Sequence, residues 1–132
     1  MATAFSFELV SPEKLILSGE ADEVIVPGSE GYFTVMANHA PLMSTIRPGI
    51  VEVKMTDGET HSIFVKGGFA DVSPSGFTLL AELATPVADL SAEDLDKHIS
   101  DADEAATNAK TDAAKEAAIQ LSNQLKEVKA AL

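Results

Sequence analysis

All eight glycines and all six prolines of this 132-residue chain lie at or before Pro86. That asymmetry demands two architectures in one molecule. Glycine loses much backbone entropy in a helix, and proline removes a helical donor and clashes with the preceding turn. The first part must therefore turn often, and the last part is free to run as helix.

Before the boundary the apolar residues alternate. Phe5, Phe7 and Leu9 interleave with Ser6 and Glu8, and Val51, Val53 and Met55 with Glu52 and Lys54. A period of two buries one face of a strand and wets the other. Further strand-like runs cover 15–18, 23–26, 32–36, 44–46, 69–72 and 77–80. Asp57-Gly58 separates 51–56 from 59–65 and predicts a two-residue hairpin link, since both residues tolerate positive φ. Gly67-Gly68 predicts a bulge or a close approach of two backbones. Many short strands with regular turns imply a sandwich or a barrel. Thr85-Pro86-Val87 breaks the strand pattern, which sets a β domain over 1–86 and a helical one over 87–132.

Ser91 followed by Asp94 predicts a capped helix start. Leu95, Ile99, Ala102 and Ala106 recur at helical spacing, as do Ala114, Ala118, Leu121, Leu125, Val128 and Leu132. The two stripes are out of phase, because extending the first puts Glu116 on the seam. Thr111 is a candidate cap for a second helix. The reading is two helices in an antiparallel hairpin, with one continuous helix as the alternative. The fold class is mainly β with an α tail.

Nothing in the sequence is spaced for catalysis. Cysteine is absent, which removes disulfides, thiolate nucleophiles and Cys-ligated metals. His39, His61 and His98 are scattered. The acidic run at 101–104 lacks the sixth-position glycine and downstream glutamate of a calcium loop. Gly28-Ser29-Glu30-Gly31 is not followed by the Lys-Ser/Thr of a phosphate loop. No catalytic residue, cofactor or metal is expected, and a small hydrolase built on His39 fails for want of a spaced nucleophile and acid. A formal net charge of −12 disfavours nucleic acid and anionic lipid. No apolar run approaches the ~18 residues of a membrane helix. No basic-then-apolar leader opens the chain. A soluble protein is expected, with any membrane link made through a partner.

Residues 25–49 concentrate the turns, at Pro27-Gly28, Glu30-Gly31, 38–41 and Pro48-Gly49. Two turn-rich loops at fixed spacing on a small sheet make a candidate docking surface. Turn geometry alone explains Gly28, Gly31, Pro41, Pro48 and Gly49 equally well, and His39 fits as the cap of its own turn. Tyr32, Leu42 and Met43 are better marks of a partner, since turns do not require apolar side chains.

This stretch and its flanks resemble the epsilon subunit of F-type ATP synthases over essentially the whole chain. FELVSPEK opens, VPGSEG, NHAPLMSTIRPG and VKGGFADV follow in order, and an alanine-rich two-helix tail closes. Residues 38–49 are the specific part. The resemblance implies a ten-stranded β-sandwich followed by a helical hairpin. It implies a non-catalytic rotor subunit of a proton-translocating ATP synthase at the cytoplasmic face of a bacterial inner membrane, linking the c-ring to the gamma subunit. By motif match, Ser29, Glu30, Gly31 and Tyr32 would face the c-ring. Ser11, His39, Leu42, Met43, Ser44 and Thr45 would face gamma. The competing reading is a free-standing β-sandwich binding module whose helical hairpin dimerises.

In that family the tail can leave its hairpin, enter the head formed by the alpha and beta subunits, and inhibit ATP hydrolysis. An alanine-dominated seam suits such a move, since burying alanine removes little apolar area while alanine is the best helix former. An ordinary small-residue seam fits equally. The second helix offers four lysines, Lys110, Lys115, Lys126 and Lys129, few for strong inhibition by charge. Some bacterial relatives bind ATP at the hairpin through Ile/Leu-Asp-x-x-Arg-Ala. Here Leu95 and Asp96 match, but Ile99 and Ser100 hold the Arg and Ala positions. An aliphatic side chain cannot pair with phosphate, so weak or absent ATP binding is expected.

Overall fold

The computed structural model describes residues 4–37, 40–74 and 76–131, and these divide into two compact units, 1–88 and 89–132. The first unit holds nine strands among the described residues: β1 (Phe5–Val10), β2 (Leu15–Gly28), β3 (Gly31–Met36), β4 (Leu42–Ile46), β5 (Gly49–Met55), β6 (Thr60–Val65), β7 (Gly68–Ser73), β8 (Gly76–Ala81) and β9 (Ala84–Pro86). The second holds α1 (Ala92–Thr107) and α2 (Asp112–Ala131).

The strands follow the order β1-β8-β7-β4-β2-β5-β6-β9, with β3 on β2 and β1 closing back onto β2. Among the described residues only β1 and β8 pair in parallel. The layers enclose one core, in which Phe7, Leu9, Val24, Val26, Val51, Val53 and Leu79 are sealed from solvent. Phe7 and Phe77 meet there as a tilted ring pair, 5.4 Å between centroids. The alternation read from the sequence is what seals it: β1 and β5 bury every second side chain.

Nine strands stand where the resemblance implies ten, and the difference lies in β2. The runs at 15–18 and 23–26 are one continuous strand of 14 residues. Its first half pairs with β1 and its second with β3 and β5, and a register shift between Ala21 and Glu23 marks the crossing. A bulge lets one strand bend between two layers without ending. A second departure is β9, where Thr85 and Pro86 do not end the strand pattern but form a short edge strand on β6. Proline is tolerated at an edge because nothing further needs its missing N–H. The Asp57-Gly58 link is also longer by one residue than expected. Met55 N donates to Glu59 O at 2.8 Å, while Gly58 N donates to Met55 O at 3.1 Å. Gly58 has φ +94°, so the loop is the three-residue kind that closes with a left-handed glycine.

The tail is a hairpin, not one continuous helix. Ser91 and Asp94 form the reciprocal capping box at the start of α1. Thr111 Oγ1 accepts from Ala114 N at 3.1 Å and opens α2. The antiparallel pairing is fixed at two levels, where Ser122 Oγ donates to Asp103 Oδ1 at 2.6 Å and Lys129 Nζ donates to Asp96 Oδ1. Leu95 and Ala102 are buried on α1, and Ser122, Leu125 and Val128 on α2. The alanine seam needs correcting: Ala114 is exposed, and Ala106 and Ala118 are only half-buried. Near the link both helices carry only alanine and polar residues, so nothing large enough covers the seam there. Leu132 lies outside the described residues.

Candidate interaction surface

The two turns flagged in the sequence are built into one platform. Ser29 N donates to Thr45 O and Arg47 N donates to Pro27 O, both at 3.0 Å. The β2–β3 turn and the β4–β5 turn are thereby stitched together around the Gly28–Ile46 pairing. Two glycines answer to this geometry. Gly31 has φ +134° with open space around it, so it serves backbone conformation. Gly49 serves close approach: a Cβ there would lie 2.6 Å from the Pro27 side chain and 2.8 Å from the Tyr32 hydroxyl. Tyr32 bridges the turns, since its hydroxyl accepts from Ile50 N at 3.2 Å and the Arg47 guanidinium sits 5.9 Å from its ring centroid.

Residues 28–33, 42–45 and Phe69 line one open groove of about 550 Å³. Ser29, Glu30, Gly31 and Tyr32, assigned to one loop, and Leu42, Met43, Ser44 and Thr45, assigned to another, therefore share a single concave surface. Asn38 and His39 lie outside the described residues. Ser11 does not reach the groove. It closes the β1–β2 turn, with its N and Oγ both donating to Lys14 O, at 2.9 and 3.3 Å.

What joins Ser11 to Thr45 is an outward-facing row that the sequence reading does not single out. In successive strands Thr45 stands opposite Phe69, Phe69 opposite Leu80, Leu80 beside Val10, and Val10 opposite Leu15. Leu15 is 55% exposed, Leu80 50% and Phe69 39%, and Met43 beside the row is 65% exposed. Five strands at about 4.8 Å spacing carry this row across roughly 19 Å. A contiguous apolar band on a wet sheet face marks an interaction surface. Its signal was present in the alternation: Phe69 and Leu80 occupy the outward phase of strands whose inward phase is already apolar.

Among the described residues no three His, Asp or Glu side chains are placed to hold a metal. No described helix is long and apolar enough to cross a membrane. The degenerate nucleotide motif is dispersed. Leu95 is buried, Ile99 half-buried, Ser100 exposed, and the Asp96 carboxylate is engaged by Lys129. That ion pair joins residues 33 apart and has no spacing signal in the sequence.

Residues 4–87 match the model of the ATP synthase delta/epsilon chain β-sandwich domain. A protein of Parvibaculum lavamentivorans named ATP synthase epsilon chain is 49% identical over 129 residues, 98% of each chain. One of the same name from Brucella anthropi is 54% identical over 109 residues, 83% of this chain and 81% of its own. Two cryo-electron microscopy structures share the fold. One is a chain of the Euglena gracilis mitochondrial ATP synthase (TM-score 0.76, 21% identity, 97% of this chain and 81% of that one). The other comes from the central stalk and c-ring of the Tetrahymena thermophila enzyme (TM-score 0.71, 14% identity, 95% and 96% covered).

Proposed function

The chain belongs to the ATP synthase delta/epsilon family, and from that premise we propose that it is a non-catalytic rotor subunit coupling the c-ring to gamma in a proton-translocating enzyme. The observation that carries this reading is the adjacency of two unlike surfaces on one closed sheet. The stitched turns carry Ser29, Glu30 and Arg47 as a polar rim, and the row from Thr45 to Leu15 forms an apolar face beginning at the same place. A membrane ring presenting polar loops suits the first, and a protein shaft suits the second. Torque passes between them only if the body joining them is stiff. The closed strand order and the backbone bonds between the turns supply that stiffness. The complex would hold this acidic chain peripherally, at the cytoplasmic face of a bacterial inner membrane.

The test is co-purification of the tagged full-length chain with gamma and with the c-ring of its own complex. Retention of both is expected, and a chain that ignores both sinks the reading. The rival, a free-standing module whose hairpin dimerises, is less favoured because Leu95, Leu125 and Val128 are already buried within the single chain.

The hairpin is the element through which the chain would reach the alpha and beta subunits. Straightened, its helices of 16 and 20 residues would span roughly 54 Å. Both Asp96 and Lys129 are substantially exposed, so their pair contributes well under ~1 kcal/mol. Closure rests mainly on Leu95, Leu125 and Val128. Nucleotide is not expected to stabilise it, because Ile99 offers no charge and Asp96 is already engaged. Isothermal titration of the full-length chain with ATP should show no binding tighter than about 1 mM. Micromolar affinity would reverse this.

A further inference from the structure

Between Glu23 and Glu52 the sequence carries two formal charges, Glu30 and Arg47. The fold brings these distant positions to the same end of the sandwich, one on each of the stitched turns. Neither forms an ion pair with another described residue. Glu30 is exposed on the groove wall. Arg47 is half-buried, with its guanidinium set 5.9 Å from the Tyr32 ring centroid and its backbone N–H fixed on Pro27 O. Tyr32 is in turn held by Ile50 N. A guanidinium at the outer reach of a cation–π contact keeps its N–H donors for a carboxylate, which it can pair in a bidentate way.

We infer that Arg47 is a specificity-determining residue of the platform and takes a carboxylate on the polar loop of the ring, beside the contact made by Glu30. This rests on the proposed placement of residues 29–32 against the c-ring. It commits the partner loop to a dipolar character: an anion for Arg47 and a cation for Glu30. In a chain of net charge −12, an acidic group is otherwise repelled, so an arginine held free of internal carboxylates gives the approach its sign and register. Apolar contact alone fixes neither.

The experiment measures binding of the full-length chain–gamma pair to purified, detergent-solubilised c-ring across a range of salt. Arg47→Met is expected to weaken ring binding about tenfold at low salt and to flatten its salt dependence, as loss of a charge pair does. Arg47→Lys keeps the charge but not the bidentate fork, so it should preserve the salt dependence while recovering only part of the affinity, and Arg47→Glu should lose more than Arg47→Met. Affinity for gamma alone and the thermal midpoint should stay unchanged for Arg47→Met and Arg47→Lys. Ring binding that survives Arg47→Met overturns the inference, as does a loss that tracks a fall in thermal midpoint and is not rescued by lysine. If Glu30→Gln weakens ring binding and Arg47→Met does not, the Arg47 pairing falls and the platform reading stands. If neither substitution has an effect, the placement of the platform falls with it.

Discussion

Replacing Gly68 by alanine is expected to lower the stability of the sandwich by about 4 kcal/mol, a large share of the roughly 5–15 kcal/mol that holds a domain together. A Cβ on Gly68 would lie 2.0 Å from Leu80 O and 2.9 Å from Ala81 Cα. Both atoms are backbone of β8, which is held on one side by β7 and on the other by β1. Neither can swing away as a side chain would. Overpacking of this kind costs about 1–3 kcal/mol. The φ of +148° at Gly68 adds backbone strain of about 1–3 kcal/mol for any side chain. Gly67 is the internal control, since its Cβ would meet nothing closer than 3.5 Å. Gly67→Ala should cost less than about 1 kcal/mol. Urea unfolding of the two variants decides the matter, and equal midpoints would show that the close approach is not what the glycine serves.

The second large effect belongs to the outward row. Phe69→Thr combined with Leu80→Thr should weaken binding to gamma by about 3 kcal/mol, roughly a hundredfold, through lost burial of exposed apolar surface. Threonine keeps a strand-forming shape, but about half of each side chain is already covered in the free chain, so folding stability should fall by about 1–3 kcal/mol while the variant stays folded. Phe69 lines the groove that the platform residues share, whereas Leu80 lies outside it, so Leu80→Thr alone should leave ring binding unchanged. Calorimetric titration of gamma with the double variant is the measurement. An undiminished affinity in a folded variant would move the gamma contact off this sheet face.

Much of the architecture was legible because its causes are local. The switch of period after Pro86, the capping box of Ser91 and Asp94, and the cap at Thr111 each act within four residues, and each formed where the sequence placed it. Strand phase was equally readable, since alternation states which side chains turn inward. Misreadings came where a neighbour overrode a local signal. The runs at 15–18 and 23–26 read as two strands, yet β2 runs through both because β1 and β5 pair with its two halves. Pro86 looks like a stop, yet β6 accepts it at the edge.

The site follows the same division. The sequence by itself determined the two-part build, the inward face of most strands and the turns that offer Ser29 to Tyr32 and Leu42 to Thr45. Only the tertiary structure decided that these loops line one groove, and that Phe69, Leu80, Val10 and Leu15 align into a band. It alone decided that Arg47 sits on Tyr32. Phase is set by the steric and solvent preferences of near neighbours, which a linear reading contains. Register between strands far apart in the chain is set by the packing of the whole core, so the juxtapositions that depend on it exist only once the sheet has closed.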